Sequence, residues 1–483
     1  MGFEVSYRTH TCGELNTKHV GQQVTLAGWV NRRRDHGGLI FLDIRDRYGM
    51  TQVICDPERS PEAHRIASEL RSEYVVQVKG KVVNRLAGTE NTQLSTGDIE
   101  IRAEQITTLN PARTTPFPIN DSITVDETLR LKYRYLDLRR PKMRENMLLR
   151  HRIVKIMRDY LDERGFLEIE TPILMKSTPE GARDYLVPSR LYAGEFYALP
   201  QSPQQLKQLL MVAGLDRYFQ IARCFRDEDQ RSDRQPEFTQ LDLEMSFVTE
   251  EDVMGLIEAL LIHLIEKTTS KRIKQQPFPH LSFKDAMDRY GTDHPDLRFD
   301  LPLVEITDLA AAGTFGVFQS VLASKGMIKG IRVPGASGYS RKEIEELIAF
   351  ARQLGAQGLV ALAISAPNEI KSPLTKFMSP EEVQAIITRL QGQPGDLLLF
   401  VADSTKICND VLFRLRVKLA ERLKLIDPNE MALCWVVDFP LLHYDEDLQR
   451  YDAEHNPFSS MDEAHIERLD SDPLNIRAKQ YDI

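Results

Sequence analysis

Cysteine is scarce in this chain, and the few cysteines present show no paired spacing. Cys12, Cys55, Cys224, Cys408 and Cys434 lie far apart, whereas zinc sites and disulfide frameworks use closely or regularly spaced cysteines. The sequence therefore favours neither a structural zinc site nor a disulfide scaffold. We expect a protein of a reducing compartment, the cytoplasm.

Long apolar runs are missing as well. The N-terminal residues contain no apolar stretch of the kind that a signal peptide needs, and no later segment reaches about 18 consecutive apolar residues. The sequence also contains no internal repeat and no low-complexity run. We therefore expect neither export nor insertion into a membrane.

The size and composition indicate a multidomain globular protein. The chain has 483 residues, of which 42% are hydrophobic and 28% charged, and this length predicts about three domains. The formal net charge of -9 disfavours a nucleic-acid partner in general. Basic residues are nevertheless concentrated at residues 32–34 and 139–152, so the net charge does not exclude RNA.

The first 110 residues contain five short runs with strand character separated by polar turns. This pattern predicts a small five-stranded barrel of the OB-fold type, which binds single-stranded nucleic acid. In the second run Ile40, Leu42 and Ile44 share one face, and Phe41 stands on the other, near the basic residues 32–34. An aromatic ring there is either a packing residue or a platform on which a base stacks, which contributes about 1–3 kcal/mol.

Two further segments can be placed from local signals. Three prolines between residues 111 and 118 predict an extended linker, and residues 111–140 are interpreted as linker and hinge. Residues 286–425 read as an inserted α/β unit without a catalytic constellation. Within it Ser340 with Glu343, and Ser379 before Pro380, predict helix starts.

The most informative segment is residues 217–247, which reads as two strands joined by a charged loop. Alternation in the second strand predicts a polar face available for chemistry, made of Phe238, Gln240, Asp242, Glu244 and Ser246. The same alternation predicts a packing face made of Thr239, Leu241, Leu243, Met245 and Phe247. Arg226 follows the first strand, where its guanidinium group could hold a phosphate or carboxylate. The alternative is an ordinary hairpin with a solvated face.

Three segments together resemble the class II aminoacyl-tRNA synthetases, most closely the bacterial aspartyl enzymes. FRDE followed by RQPEFTQLDLE resembles the second signature motif of that class. Residues 165–190 resemble the first motif, with Pro172 as its dimer-interface proline, and YALPQSPQQLK resembles the aspartate-binding segment. The resemblance covers essentially the whole chain. It implies a multidomain α+β protein with an N-terminal OB-fold barrel (1–110), a class II antiparallel catalytic domain (141–285 and 426–483) and an inserted α/β domain (286–425).

The resemblance also assigns roles to individual residues. Lys207 would pair with the side-chain carboxylate of aspartate, and Ser202 is predicted to cap the helix that carries Lys207. Arg226 would clamp the α-phosphate of ATP.

The aspartate-binding residues that the resemblance implies are Glu180 on a mobile loop, Gln204, Lys207, Arg226, Gln240, Asp242 and His455. The ATP contacts implied are Arg226, Asp227, Glu228 and Gln235, and the anticodon contacts are Arg34, Phe41 and Gln52. Taken singly, each could be a surface charge or a packing residue. Asn456 departs from a second histidine that many relatives have there.

The implied reaction makes aspartyl-adenylate from L-aspartate and ATP with Mg²⁺, and transfers aspartate to the aspartate tRNA. His36 and Gly88 stand where the resemblance places tRNA specificity. Their surroundings are similar to those of members that also charge the asparagine tRNA and rely on an amidotransferase. A homodimer is implied through the first motif. The neutral asparagine side chain would leave charges unpaired in such a site.

Other interpretations remain open at this stage. The family's third motif would follow the segment RAKQYDI and does not occur in the given sequence. A binding-only paralogue is therefore one alternative, and reduced activity of these 483 residues is expected. A related asparaginyl or lysyl enzyme, or an asparagine synthetase built on the same core, is another. The large insertion and Lys207 favour the aspartyl reading.

Overall fold

The computed structural model describes residues 6–178, 180–230, 234–367, 369–445, 448–456 and 458–483. The chain divides into two compact units, Met1–Arg152 and Ile153–Ile483. Each unit is built around its own buried apolar clusters.

The first unit contains a closed five-stranded barrel, as predicted. Its strands follow the order β1-β2-β3-β5-β4 around the barrel. They are β1 (Gln23–His36), β2 (Leu39–Arg45), β3 (Met50–Cys55), β4 (Val75–Asn84) and β5 (Ile99–Asn110), with helix α1 (Pro61–Glu69) between β3 and β4. Ile40, Leu42 and Ile44 fill the barrel interior, as their alternation predicts.

Two features of the barrel go beyond the sequence prediction. Strand β1 continues through the basic residues 32–34 as far as His36, and Gly37 and Gly38 then form the turn into β2. Both glycines have positive φ, 61° and 80°, the conformation that a tight two-residue hairpin turn requires. The basic residues are therefore held on a strand, opposite β2.

The segment after the barrel is irregular, as expected of a linker, but it is packed. Phe117 and Ile119 are buried against Leu136, so the prediction of a simple extended linker is wrong for residues 117–119. Three helices follow: α2 (Glu127–Lys132), α3 (Arg134–Asp137) and α4 (Pro141–Asp162). The fully buried Asp137 carboxylate pairs with Arg130 at 2.8 Å.

In the second unit, an antiparallel pair of strands carries the candidate site. Strands β9 (Arg217–Phe225) and β10 (Glu237–Met245) pair along their whole length, with Arg217 opposite Met245 and Phe225 opposite Glu237. The elements of this region are β6 (Leu167–Glu168), β7 (Leu186–Pro188), β8 (Phe196–Ala198), α5 (Gln204–Val212), β9 (Arg217–Phe225), β10 (Glu237–Met245) and α6 (Glu250–Thr268).

One face of β10 packs on helices, with one exception to the prediction. Leu241, Leu243 and Met245 contact the cluster that contains Tyr160, Phe219 and Leu260. The strand ends at Met245, however, and Phe247 has φ of 59° and is 97% exposed. The prediction that Phe247 continues the packing face is therefore wrong, because the turn toward Thr249 rotates it away from the sheet. Thr249 caps α6 in a capping box, as expected.

Residues 286–425 contain an antiparallel five-stranded sheet with helices on both faces. The sheet order is β13-β14-β17-β15-β16, and separate apolar clusters lie on its two sides. Ser340 and Ser379 begin helices with capping boxes, as predicted. The elements are α7 (Phe283–Tyr290), β13 (Leu303–Glu305), α8 (Thr307–Ala310), α9 (Gly316–Ala323), β14 (Met327–Val333), α10 (Arg341–Gln353), β15 (Val360–Ala366), β16 (Glu369–Lys371), α11 (Pro380–Arg389), β17 (Leu397–Asp403) and α12 (Thr405–Arg422).

Short strands join the chain before this region to the chain after it. β11 (Arg272–Ile273) pairs in parallel with β18 (Glu430–Met431), and β12 (His280–Ser282) pairs with β19 (Trp435–Val437). A final hairpin consists of β20 (Leu442–Asp445) and β21 (Arg450–Ala453). Within the described ranges, no helix has the length and apolar character needed to cross a membrane.

Candidate amino-acid and nucleic-acid sites

The polar face of β10 carries a lysine shared by two carboxylates. Nζ of Lys207 lies 2.8 Å from Oδ1 of Asp242 and 3.5 Å from Oε2 of Glu244. Helix α5 places Lys207 over the sheet, and Gln204 stands at the first position of that helix. Glu244 received no role from the sequence, although its position two residues after Asp242 puts it on the same face.

Asp242 is buried with one oxygen unused. Its carboxylate is 8% exposed, and Oδ2 accepts no hydrogen bond from the described residues. Burial raises the pKa of Asp242, and the nearby Lys207 opposes that rise. Burial likewise raises the pKa of Glu244. A buried carboxylate oxygen without a donor can accept a hydrogen bond from a cation such as an ammonium group.

Gln240 lies next to a buried thiol. Cys224 Sγ donates to Gln240 Oε1 over 3.2 Å, which fixes the orientation of the amide. Burial raises the pKa of Cys224 to about 11, so the thiol stays protonated near neutral pH. This cysteine therefore supports Gln240 and does not act as a nucleophile.

Glu180 is tied to the residue just before helix α5. Thr178 Oγ1 donates to Glu180 Oε1 at 2.8 Å, and Ser202 Oγ donates to Glu180 Oε2 at 2.6 Å. The prediction that Ser202 caps α5 is wrong: Pro203 occupies the cap position without a side-chain hydrogen bond. The serine hydroxyl bonds the loop instead, because Pro203 separates it from the helix.

The same loop is held by Gln201, which the sequence analysis missed. Its side chain is 1% exposed. Oε1 accepts from the Ala182 N–H at 3.0 Å, and Nε2 donates to the Ala182 carbonyl at 2.8 Å and to Asp184 Oδ1 at 2.5 Å. A glutamine before a Ser-Pro pair gives no sequence signal for such a contact, since the loop partners lie about 20 positions earlier.

Arg226 stands at the end of β9 with an unused donor. Its Nε is buried and donates to none of the described residues, and its guanidinium carbon lies 5.1 Å from the centre of the Phe238 ring. A guanidinium group held on an aromatic face, with a free buried N–H, is suited to a phosphate or carboxylate.

The other expected ATP contacts lie around the exposed loop between the strands. The Asp227 N–H donates to the carbonyl of Arg183 at 2.9 Å. Glu228 lies 3.5 Å from Arg234 in an exposed ion pair, and Gln235 is exposed. These three residues therefore lie near the ends of the two strands, and all three are exposed.

His455 sits in a different cluster from Lys207. Its ring packs edge-on against Phe439 with centroids 4.8 Å apart, and ligand atoms of Asp293, His455 and Asp482 lie within 4.8 Å of one another. None of the hydrogen bonds or ion pairs found among the described residues joins His455 to Lys207. An imidazole does not fit the all-oxygen coordination that Mg²⁺ prefers, so we assign this cluster no magnesium.

On the barrel, all three expected anticodon contacts meet. Arg34 pairs with Phe41 across β1 and β2, and its guanidinium carbon lies 6.0 Å from the ring centre. Arg34 Nη2 donates to Asp43 Oδ1 at 2.7 Å and to Gln52 Oε1 at 3.0 Å, while Gln52 Nε2 donates to Glu100 at 2.8 Å. Asp43 and Glu100 were not assigned from sequence, but they orient the two polar side chains beside the ring.

The two expected specificity positions lie in separate turns. His36 is the exposed last residue of β1, and Gly88 has φ of 85° in the segment between β4 and β5. The Gly88 N–H donates to Glu90 Oε2 at 2.8 Å. None of the hydrogen bonds between described residues joins the two positions.

Comparison with known proteins identifies the family of the chain. A family model described as "tRNA synthetases class II (D, K and N)" matches residues 126–483, and one described as "OB-fold nucleic acid binding domain" matches residues 24–109. The chain belongs to these class II tRNA synthetases. The predicted combination of an OB-fold domain with a class II catalytic domain is thereby confirmed.

Individual relatives of this synthetase chain are similar over nearly all of its length. Two proteins named Aspartate-tRNA(Asp/Asn) ligase are each 53% identical to it. The one from Natranaerobius thermophilus matches 99% of this chain and 81% of its own length, and the one from Moorella thermoacetica matches 99% and 79%. The asparaginyl-tRNA synthetase structure from Pyrococcus horikoshii with asparaginyl-adenylate has a TM-score of 0.51 at 19% identity, over 84% of this chain and 96% of that one. That likeness supports the fold alone.

Proposed function

We propose that this synthetase is an aspartate-tRNA ligase, which activates L-aspartate with ATP and transfers it to tRNA. The observation that carries the proposal is the ion pair between Lys207 and the buried Asp242, at the polar face of β10. It places a cation beside a carboxylate whose second oxygen accepts no hydrogen bond from the part of the chain that the structure describes. Such a pair complements a ligand that carries both a carboxylate and an ammonium group. The names of the relatives support the choice of aspartate.

In this proposal each residue of the site has a defined task. Lys207 binds the side-chain carboxylate of aspartate, and Oδ2 of Asp242, with Gln240 beside it, accepts from the ammonium group. Gln204 contacts the main-chain end. Arg226 holds the α-phosphate of ATP, so that the attacking carboxylate and the phosphorus atom are brought together while their like charges are neutralised.

Three residues complete the amino-acid and nucleotide sites. Glu180, anchored by Ser202, closes the loop over bound aspartate. Glu228 and Gln235 contact ATP from the charged loop. Mg²⁺, when bound, would neutralise phosphate charge, and none of the residues of this chain is assigned to it. His455 is proposed as an aspartate-site residue from the resemblance alone.

The tRNA would bind through the barrel. Phe41 offers a stacking surface, flanked by the guanidinium group of Arg34 and the amide of Gln52. This arrangement is typical of OB-folds that bind unpaired bases. We propose that both the aspartate and asparagine tRNAs are substrates, as the names of the relatives indicate for those proteins. An amidotransferase would then convert the misacylated product. A cytoplasmic location follows from this role.

A homodimer is proposed through the segment around Pro172. Pro172 is exposed, and its neighbours Leu167, Ile173 and Leu174 are 46–55% exposed. Adjacent exposed apolar side chains of this kind mark a protein interface. Sedimentation of the purified chain and of its Ile173→Asp variant tests the proposed dimer. A dimer that forms through this surface should dissociate in the variant.

The proposed activity is tested by aspartate-dependent exchange of pyrophosphate into ATP. Exchange that requires aspartate and is lost in Lys207→Ala supports a ligase. A chain that binds anticodon RNA but shows no exchange with any amino acid would support the binding-only alternative instead. Exchange stimulated equally by asparagine would contradict the choice of substrate.

A further inference from the structure

A cationic cavity lies beside the barrel in the first unit, apart from the residues assigned above. Its volume is about 440 Å³. Asn31 of β1, Arg45 of β2 and Met50 of β3 line it from the barrel, and Arg139 and Arg144 line it from the segment that follows the barrel. No role has been given to any of these side chains so far.

The cavity continues the face that carries the anticodon residues. Arg45 is paired with Met50 across β2 and β3. Because side chains alternate along a strand, Arg45 lies on the same face as Phe41, about 13 Å further along, and Met50 lies on the same face as Gln52, about 7 Å away. A nucleic-acid strand that passes over Phe41 and Gln52 therefore reaches the cavity within the next few nucleotides.

The charges around the cavity do not balance. Arg45 Nη2 and Arg139 Nη1 each lie 2.7 Å from a different oxygen of Glu73. The carboxylate of Glu73 therefore forms ion pairs with two guanidinium groups. Arg144 makes its hydrogen bond to a main-chain oxygen, that of Asp46, at 3.4 Å. Among the described residues, the three arginines have one carboxylate as ion-pair partner, Glu73, which leaves an excess of two positive charges.

One of these arginines is buried with a donor that has no acceptor. Arg45 is 8% exposed, and its Nη1 forms no hydrogen bond with the described residues. Burial, together with the neighbouring Arg139 and Arg144, lowers the pKa of Arg45 despite its contact with Glu73. A buried N–H without an acceptor, in a cavity with excess positive charge, indicates an anionic ligand.

We infer that this cavity binds a phosphate group of the RNA backbone next to the anticodon, through Arg45, Arg139 and Arg144. The guanidinium groups match a phosphate because each presents parallel N–H donors to its oxygens. The contact would fix the register of the RNA on the barrel without reading a base. This inference rests on the proposed function, since it concerns the same RNA-binding face.

The test compares RNA binding by the whole chain and three variants over a range of salt concentrations. Arg144→Gln removes the arginine whose hydrogen bond goes to the main-chain oxygen of Asp46, and Arg144→Lys restores its charge. Lys81→Gln is the matched control, because Lys81 is exposed on β4 opposite Gln23, at the start of β1. The probes are the anticodon stem-loop of the aspartate tRNA and the same stem-loop with a changed anticodon.

Arg144→Gln should weaken binding of both RNAs several-fold and by the same factor. It should lower the slope of log K against log salt by about 0.7 to 1, as expected for one lost phosphate contact. Arg144→Lys should recover most of the slope, and Lys81→Gln should change neither quantity.

An unchanged slope in Arg144→Gln, an equal loss in Lys81→Gln, or a loss confined to one anticodon would overturn the inference. Titration with inorganic phosphate tests whether the cavity binds a free anion instead of RNA. If phosphate binding depends on Arg144 but RNA binding does not, the inference is also overturned. Failure of the unmodified chain to bind either RNA would instead contradict the proposed function, and this inference with it.

Discussion

Lys207 and Asp242 are joined by a 2.8 Å ion pair in the second unit, and the second oxygen of Asp242 accepts no hydrogen bond from the described residues. Since Glu244 lies 3.5 Å from the same lysine, a single cation pairs with one buried and one partly buried carboxylate. Lys207 can therefore attract the carboxylate of a ligand, and Asp242 can accept a hydrogen bond from its ammonium group.

The first prediction concerns the pH dependence of stability. Burial raises the folded-state pKa of Asp242 above its ordinary value of 3.8, so the folded state binds the proton more tightly than the unfolded state. The favourable contribution is complete below the ordinary pKa and is lost as pH rises through the folded pKa. Asp242→Asn removes this titration. The free energy of unfolding of the variant, relative to the original protein, should therefore increase as the pH rises above the ordinary pKa of an aspartate.

This difference can be measured by urea unfolding followed through Trp435. The chain has two tryptophans, so a Trp29→Phe background leaves only the probe in the second unit. The exposed Asp162→Asn serves as the control. A constant or decreasing difference for Asp242→Asn would contradict the burial argument.

The second prediction concerns Gln201, which holds the loop of Glu180. Gln201→Ala leaves the N–H and carbonyl of Ala182 without their partner, and should destabilise the second unit by about 1–3 kcal/mol. Gln205→Ala, at the exposed neighbouring position on α5, should cost less than about 0.5 kcal/mol. Equal losses in both variants, measured in the same unfolding assay, would show that the loop contact contributes nothing specific.

The third prediction concerns the stacking surface of Phe41. Phe41→Leu keeps apolar volume but removes the aromatic face, and should weaken binding of the anticodon stem-loop by about 1–3 kcal/mol. Phe41→Trp should retain most of the affinity. Fluorescence anisotropy measures both. If leucine binds as well as phenylalanine, the ring is a packing residue, as the alternative interpretation holds.

The fourth prediction concerns tRNA range. The anticodons of the aspartate and asparagine tRNAs differ only in the last base, C against U, and a histidine at position 36 can donate to or accept from either. Stem-loops that differ in that base should bind within about tenfold of one another. A preference beyond about a hundredfold, or about 2.7 kcal/mol, for the aspartate form would contradict the broad range.

Sequence reasoning was most successful where local pattern controls structure. The alternation of Ile40, Leu42 and Ile44 correctly predicted the barrel interior, and Ser340 and Ser379 correctly marked helix starts. It failed at Phe247 and Ser202, because a turn or a proline changes the direction of a side chain without disturbing the apparent period.

The supporting residues of the candidate sites were harder to find. Gln201, Asp43 and Glu100 contact residues that are distant in sequence, and no local pattern reports such pairs. The cationic cavity needs Arg45 and Arg139 to meet at Glu73, and those residues come from three separate parts of the chain. Only the folded chain brings them together.

The decisive measurement is calorimetric binding of two non-hydrolysable sulfamoyl adenylate analogues, one carrying aspartate and the other asparagine. The aspartyl analogue should bind at least a hundredfold more tightly, because the neutral amide leaves buried charges unpaired. Lys207→Met should remove most of this preference and cost at least about 2 kcal/mol with the aspartyl analogue, whereas the exposed Lys271→Met should bind as the original protein does. Equal affinity for the two analogues, or a preference that survives Lys207→Met, would contradict the assignment of this site to aspartate.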